Sequence, residues 1–168
     1  MERTGVITFK GNGMTLVGPE LKLGDPAPNF TVVDGALKPV QLSDFKGQVV
    51  VISVVPSLDT PVCELQTKRF NEEASKLNAK VLTVSLDLPF AQKRFCSAFK
   101  IENVLTLSDY KDRSFGQAFG VLIKELALLT RSVFVIDKAG KIAYQEIVKE
   151  VTEQPNYDKA LAEAKKLV

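Results

Sequence analysis

Residues 48–70 read QVVVISVVPSLDTPVCELQTKRF, and the interpretation of the whole chain starts from this stretch. The apolar, β-branched run from Gln48 to Val55 is typical of a central strand that is covered on both faces. Pro56 cannot donate a hydrogen bond to a sheet, so we expect the strand to end there. Thr60 is a suitable N-cap and Pro61 a suitable first residue for a helix. The stretch therefore predicts a buried strand, a short turn and a helix that runs to about Leu77.

Cys63 falls on the third position of this predicted helix, among backbone N–H groups that have no partner within the helix. The helix dipole favours a negative charge at this end. We therefore expect the sulfur of Cys63 to be partly thiolate near neutral pH. The alternative is a buried cysteine that acts as a small apolar side chain, and the spacing alone leaves both interpretations open.

The composition excludes several classes of protein. The chain has 168 residues and a net charge of +2, with basic and acidic residues interspersed, so neither nucleic-acid binding nor membrane-surface binding is indicated. No apolar run approaches the roughly 20 residues that a membrane span needs. The N-terminal residues lack the apolar segment of a signal peptide, which predicts a cytoplasmic protein. A chain of this length predicts a single domain over residues 1–168.

The chain contains no histidine and only two cysteines, Cys63 and Cys96. This excludes nucleophiles paired with histidine, histidine metal sites and conventional four-ligand zinc sites. We expect no metal and no cofactor. The two cysteines are too far apart in sequence for a C-x-x-C pair. In a reducing cytosol they are either two unrelated thiols or a transient catalytic disulfide, and composition does not decide between these.

The remaining sequence predicts further short elements. An N-terminal hairpin at about residues 5–18 is predicted from two β-type runs around Gly11-Asn12-Gly13. The proline-rich residues 19–28 predict an extended connector. The apolar run Val121 to Leu129 predicts a helical turn that would form an association patch if it were exposed. The other predicted strands and helices are Phe30 to Val33, a helical turn at Ser43 to Gly47, Lys80 to Asp87, Pro89 to Phe99, Val104 to Leu107, Ser114 to Phe119, Ser132 to Asp137, Lys141 to Ile147 and Tyr157 to Leu167.

This order of elements predicts the fold class. Strand–helix–strand crossovers require parallel neighbours in a sheet, and the last hairpin adds antiparallel strands. We therefore expect an α/β protein with a thioredoxin-like fold, in which a mixed central sheet is flanked by helices on both faces and preceded by the N-terminal hairpin.

A thiolate that needs no neighbouring base suits attack on the O–O bond of a peroxide, which converts the sulfur to a sulfenic acid. This reaction needs hydrogen-bond donors for both oxygens and a cation near the sulfur. The Thr60 hydroxyl, the Cys63 N–H and an arginine are candidates, and Pro56 is a candidate to shield the sulfur from water. Arg131 begins a predicted strand that could end near Cys63, whereas Arg69 points elsewhere on the helix of Cys63. Arg131 could equally be a solvated charge at a strand end.

The segment P-S-L-D-T-P-V-C, Pro56 to Cys63, matches the P-x-x-x-[TS]-x-x-C motif of the peroxiredoxins. Over nearly its whole length the chain resembles the bacterial thiol peroxidase subfamily, an atypical 2-Cys group. The segments that carry this resemblance are SLDTPVCELQTKRFNEEA, TFKGNGMTLVG, KLGDPAPNFTVVD, RFCSAFKIENVLTLSDY and RSVFVID.

The resemblance implies a role for each matching residue. Cys63 corresponds to the peroxidatic cysteine and Cys96 to the resolving cysteine, with a Cys63–Cys96 disulfide that forms within one subunit. The family's other catalytic residues fall on Pro56, Thr60 and Arg131. The resemblance further implies a homodimer, hydrogen peroxide and alkyl hydroperoxides as substrates, and thioredoxin as the reductant.

Two helix-borne cysteines cannot usually form a disulfide without backbone movement, because the bond needs Cα atoms within about 7 Å of each other. We therefore predict that the helices around Cys63 and Cys96 unwind locally on oxidation. Two rival functions remain: a redox sensor or holdase that turns over peroxide slowly, and a structural module with inert thiols. Peroxide turnover with thioredoxin distinguishes the sensor from the enzyme, and thiol alkylation distinguishes the inert module.

Overall fold

Eleven strands and four α-helices form the fold, and the computed structural model describes all of residues 1–168. In chain order they are β1 (Glu2–Phe9), β2 (Asn12–Val17), β3 (Thr31–Val33), β4 (Pro39–Gln41), β5 (Val50–Val54), α1 (Pro61–Ala74), β6 (Lys80–Ser85), α2 (Pro89–Phe99), β7 (Leu105–Ser108), α3 (Ser114–Ala118), β8 (Leu122–Ile123), β9 (Leu128–Leu129), β10 (Ser132–Ile136), β11 (Ile142–Ile147) and α4 (Tyr157–Leu167). A 3₁₀ turn at Leu42–Phe45 precedes β5. None of the helices combines the length and apolarity that a membrane crossing requires.

The central sheet has seven strands in the order β11-β10-β5-β6-β7-β3-β4. The pairs β5–β6 and β6–β7 are parallel, while the other neighbours are antiparallel. Every residue of β5 is buried, as expected for a strand covered on both faces. The predicted mixed sheet is therefore confirmed, although β4 was not predicted and α1 ends at Ala74 rather than near Leu77.

Two apolar clusters cover the two faces of the sheet. One contains Phe70 of α1, Phe95 of α2 and Leu161 of α4, so these three helices lie on the same face. The other contains Phe115 of α3 together with Phe30 and further aromatic side chains. The thioredoxin-like arrangement, with helices on both faces, follows from this division of the core.

The predicted N-terminal hairpin is present as β1 and β2, which pair antiparallel. Its turn consists of Lys10 and Gly11, both with positive φ, because Phe9 pairs with Asn12. The turn therefore lies one residue earlier than the Gly11-Asn12-Gly13 sequence indicates. Glycine suits the second turn position because it adopts positive φ without steric cost.

The prediction of a helical turn at Val121 to Leu129 is wrong. This segment forms the two short strands β8 and β9, and β2 pairs with β8 through Leu16 and Ile123. The free edge of the N-terminal hairpin thus imposes strand geometry on the segment, which local periodicity cannot indicate. Since Ile123 and Leu129 are fully buried, the segment is part of the core and not an exposed association patch.

Candidate active site

The site begins where β5 passes into α1. Thr60 is the N-cap of α1, and its side-chain oxygen accepts a hydrogen bond from the Cys63 backbone N–H at 3.3 Å. Pro61 is the first helical residue, so Cys63 stands at the third position as the sequence predicts. The local sequence therefore places a sulfur atom at the positive end of a 14-residue helix.

Arg131 contacts this sulfur directly. Its Nη2 donates to the Sγ of Cys63 at 3.2 Å, and both residues are buried. The two residues meet because β10 runs antiparallel to β5, with Ser132 opposite Val54, so that Arg131 lies beside the turn that follows β5. The alternative of a solvated charge at a strand end is thus wrong for Arg131, which is only 2% exposed.

Two further hydrogen bonds fix the guanidinium of Arg131. Its Nε donates to the carbonyl oxygen of Val151 at 2.8 Å, and its Nη1 donates to Oε1 of Gln66 at 2.9 Å. No carboxylate pairs with Arg131, so its positive charge remains available to the sulfur. A planar guanidinium held at three of its nitrogens cannot turn away from Cys63 without breaking buried hydrogen bonds.

Gln66 is a functional candidate that the sequence analysis missed. It is fully buried on α1, one turn after Cys63, and its Nε2 donates to the Ser53 hydroxyl at 2.8 Å and to the Val54 carbonyl at 3.3 Å. Gln66 therefore links Arg131 to β5. The sequence signal that could have identified Gln66 is its position on the apolar stripe of α1. A glutamine that is buried there needs hydrogen-bond partners for its amide.

Burial and charge act in opposite directions on the sulfur. Removal from water disfavours a thiolate, while the Arg131 guanidinium and the N-terminus of α1 favour it. The neighbouring phenol of Tyr157 responds to the same groups. Its pKa is raised to about 12, mainly by burial, while Arg131 and Arg69 act to lower this pKa and the Cys63 charge acts to raise it. Arg69 itself pairs with Asp158 at 3.0 Å, so it points away from the sulfur as predicted.

The other two residues of the motif also lie at this turn. Pro56 is buried and lies two residues after the end of β5. The Thr60 hydroxyl donates to the carbonyl oxygen of Ser57 at 3.3 Å while it accepts from the Cys63 N–H. These long hydrogen bonds engage both of the predicted donors, so a peroxide that binds here has to replace them.

Cys96 lies in the last turn of α2, on the same apolar cluster that contains Cys63. It is partly exposed, and its Sγ lies 3.5 Å from the Thr106 hydroxyl of β7. Both cysteines are free thiols. The structure thus places the two cysteines on separate helices of one sheet face, and it brings Thr60, Gln66 and Arg131 together only around Cys63.

A thioredoxin-like sheet that holds a buried thiol against a guanidinium and a helix N-terminus defines a thiol-dependent oxidoreductase. The Redoxin family matches residues 22–161 of the chain. The chain is 59% identical to the thiol peroxidase of Bacillus subtilis, in an alignment that covers 96% of this chain and 98% of that protein. It is 58% identical to a thiol peroxidase of Listeria monocytogenes, in an alignment that covers 95% of this chain and 98% of that protein. It also resembles the crystal structure of a peroxiredoxin-like protein from Aquifex aeolicus, with a TM-score of 0.92 and 50% identity over 99% of this chain and 98% of that one.

The chain belongs to the Redoxin family, and it is a thiol-dependent peroxidase.

Proposed function

We propose that Cys63 is the peroxidatic cysteine. Its thiolate attacks the terminal oxygen of a hydroperoxide, so that an S–O bond forms while the O–O bond breaks. Cys63 becomes a sulfenic acid, and the leaving alkoxide or hydroxide takes a proton from water. Arg131 stabilises the thiolate and the charge that develops on the oxygens, Thr60 and the Cys63 N–H orient the peroxide, and Pro56 keeps water from the sulfur.

We propose further that Cys96 resolves the sulfenic acid. Its sulfur attacks the oxidised Cys63, the S–O bond breaks, water leaves and a disulfide forms within the same chain. The two thiols are carried by α1 and α2, so the helical turns around them have to unwind for this step. A dithiol reductant then restores both thiols, and we propose thioredoxin for this role.

The substrates are proposed to be hydrogen peroxide and alkyl hydroperoxides. We propose a cytoplasmic homodimer in which residues 1–168 form one domain. Support for association comes from apolar side chains that stand exposed on and beside α1 and α2, namely Leu65, Leu88 and Phe90.

The 3.2 Å contact between Arg131 Nη2 and Cys63 Sγ carries the proposal, because it pairs a fixed cation with a buried thiol at a helix N-terminus. The test is peroxide consumption with thioredoxin, thioredoxin reductase and NADPH. We expect Cys63→Ser to abolish turnover. Cys96→Ser should still consume about one equivalent of peroxide per chain but should not cycle with thioredoxin.

The same assay separates the enzyme from a redox sensor. A sensor would be oxidised readily by peroxide and yet show poor steady-state turnover with the complete reducing system. Full turnover in Cys63→Ser would contradict the assignment of the peroxidatic cysteine, and undiminished cycling in Cys96→Ser would contradict the assignment of the resolving cysteine.

A further inference from the structure

Asp87 connects the loop in front of Cys63 to the helix that carries Cys96. It lies between β6 and α2, two residues before the first residue of α2. Its Oδ1 accepts a hydrogen bond from the Ser57 hydroxyl at 2.9 Å, and its Oδ2 accepts from the Leu58 N–H at 2.8 Å. One carboxylate therefore holds two consecutive residues of the loop that leads into α1.

Asp87 is anchored firmly on the other side. Its Oδ2 also accepts from the Ser85 hydroxyl at 2.7 Å, and its carbonyl oxygen accepts from the hydroxyl of Ser108 on β7. The Ser85 hydroxyl in turn accepts from Nε2 of Gln92 at 3.0 Å. Gln92 lies on α2, one helical turn before Cys96. A continuous set of hydrogen bonds therefore runs from α2, through Gln92 and Ser85, to the Asp87 carboxylate.

The loop side continues this set to the peroxidatic cysteine. Ser57, which Asp87 holds through its hydroxyl, offers its carbonyl oxygen to the Thr60 hydroxyl, and the Thr60 oxygen accepts from the Cys63 N–H. The hydrogen bonds at Thr60 are long, at 3.3 Å each, whereas those at the Asp87 carboxylate are all 2.9 Å or shorter. Asp87 therefore holds the loop before α1 by shorter hydrogen bonds than those that join this loop to Thr60 and Cys63.

The charge of Asp87 has no other partner in the fold. No lysine or arginine forms an ion pair with the Asp87 carboxylate. Its oxygens accept hydrogen bonds only from Ser57, Leu58 and Ser85. A groove of about 430 Å³ separates the loop from α2, with Ser57 and Leu58 on one wall and Phe95 on the other. A loop that has left the Asp87 carboxylate can move through this groove toward α2.

We propose that Asp87 is a positioning residue that sets the balance between the two stages of the reaction. While the carboxylate holds Ser57 and Leu58, the first turn of α1 keeps Cys63 beside Arg131, where it reacts with peroxide. When the loop leaves the carboxylate, the turn unwinds and Cys63 can reach Cys96. This inference rests on the proposed Cys63–Cys96 disulfide.

The test substitution is Asp87→Asn, which keeps the side-chain shape but replaces one acceptor oxygen with an N–H₂ donor that faces other donors. Oxidation of Cys63 by hydrogen peroxide is measured in a Cys96→Ser background. Disulfide formation is measured separately, in chains that retain both cysteines, by acid quenching and mass spectrometry. We expect Asp87→Asn to slow the first step about three- to tenfold and to accelerate the second by a similar factor. Ser57→Ala, which removes one of the hydrogen bonds, should shift both rates in the same directions by less.

Asp137→Asn is the matched control. The Asp137 carboxylate also accepts from backbone N–H groups, those of Ala139 and Lys141 at 2.9 Å each, but in the turn between β10 and β11. Neither rate should change in this variant.

The outcomes separate the inference from the function on which it rests. If the two rates fall together in Asp87→Asn, or if both match those of Asp137→Asn, the role of Asp87 is refuted. If the wild-type chain itself forms no Cys63–Cys96 disulfide, the proposed role of Cys96 is refuted before any variant is considered.

Discussion

The fold places a buried acidic side chain at the N-terminus of two different helices, and only one of the two contacts a cation. Cys63 stands in the first turn of α1, and Asp109 accepts hydrogen bonds from the Phe115 and Gly116 N–H groups in the first turn of α3, at 3.0 and 2.8 Å. Both side chains are almost completely buried. Arg131 contacts the first acid, whereas no arginine or lysine forms a hydrogen bond to the second.

At Asp109, two hydrogen bonds from a helix N-terminus do not offset the effect of burial on the pKa of the carboxyl. Burial raises the pKa of Asp109 from 3.8 to about 6, although the two backbone hydrogen bonds act to lower it. The feature that distinguishes the Cys63 site is therefore the guanidinium of Arg131, which contacts the sulfur.

The substitution Arg131→Met should have the largest effect, because it removes the one cation that contacts the sulfur of Cys63. We expect the rate of Cys63 oxidation by peroxide to fall about 100- to 1000-fold, the loss that follows removal of one donor to a developing oxyanion. Stopped-flow or quench measurements on Cys96→Ser chains isolate this step. Arg69→Met is the control and should remain close to wild type, because Arg69 lies on the same helix as Cys63 but pairs with Asp158. A loss of less than about threefold in Arg131→Met would contradict the assignment.

The substitution Asp109→Asn tests the site at the start of α3 through the pH dependence of the free energy of unfolding. A folded-state pKa raised above the unfolded value means that the folded chain binds more protons between pH 4 and 6, so the contribution of Asp109 to stability is lost as pH rises through this range. At about 1.4 kcal/mol per pH unit of pKa difference, the wild type should lose about 2 kcal/mol relative to Asp109→Asn between pH 4 and 6.5. Urea unfolding of both proteins at each pH measures this difference. A difference that does not vary with pH would show that Asp109 ionises in the folded chain as it does in the unfolded one.

The substitution Gln66→Leu sharpens the comparison by loosening the cation without removing it. Arg131 would keep its hydrogen bond to Val151 but lose the one to Gln66, so we expect the rate of Cys63 oxidation to fall about tenfold. The control is Gln145→Leu, which removes a glutamine that donates to the Leu21 carbonyl away from the site. Equal rates in the two variants would mean that Gln66 does not position the guanidinium.

Much of this account was accessible from the sequence because its signals are local. Pro56, Thr60 and Pro61 fix the end of a strand and the start of a helix by their own chemistry, and the structure confirms each of them. The same holds for α2, whose predicted bounds of Pro89 and Phe99 are those observed. Local rules suffice where one residue's backbone preference decides the outcome.

What the sequence could not indicate depends on contacts between distant segments. Val121 to Leu129 forms strands because β2 offers it an edge, and Gln66 gains its role only when antiparallel pairing of β5 and β10 delivers Arg131. Asp87 likewise holds a loop that lies about thirty residues earlier in the chain. No periodicity or cap within these segments carries such information.

The most direct test of the central claim is a titration of the Cys63 thiolate by its ultraviolet absorbance, in a Cys96→Ser chain, with the Cys63→Ser/Cys96→Ser chain subtracted. If Arg131 holds the sulfur in its charged form, the absorbance should be largely developed at neutral pH, and Arg131→Met should postpone it to the alkaline range where free cysteine ionises. If the wild-type sulfur ionised only in that alkaline range, the guanidinium would not hold a thiolate and the account would be wrong.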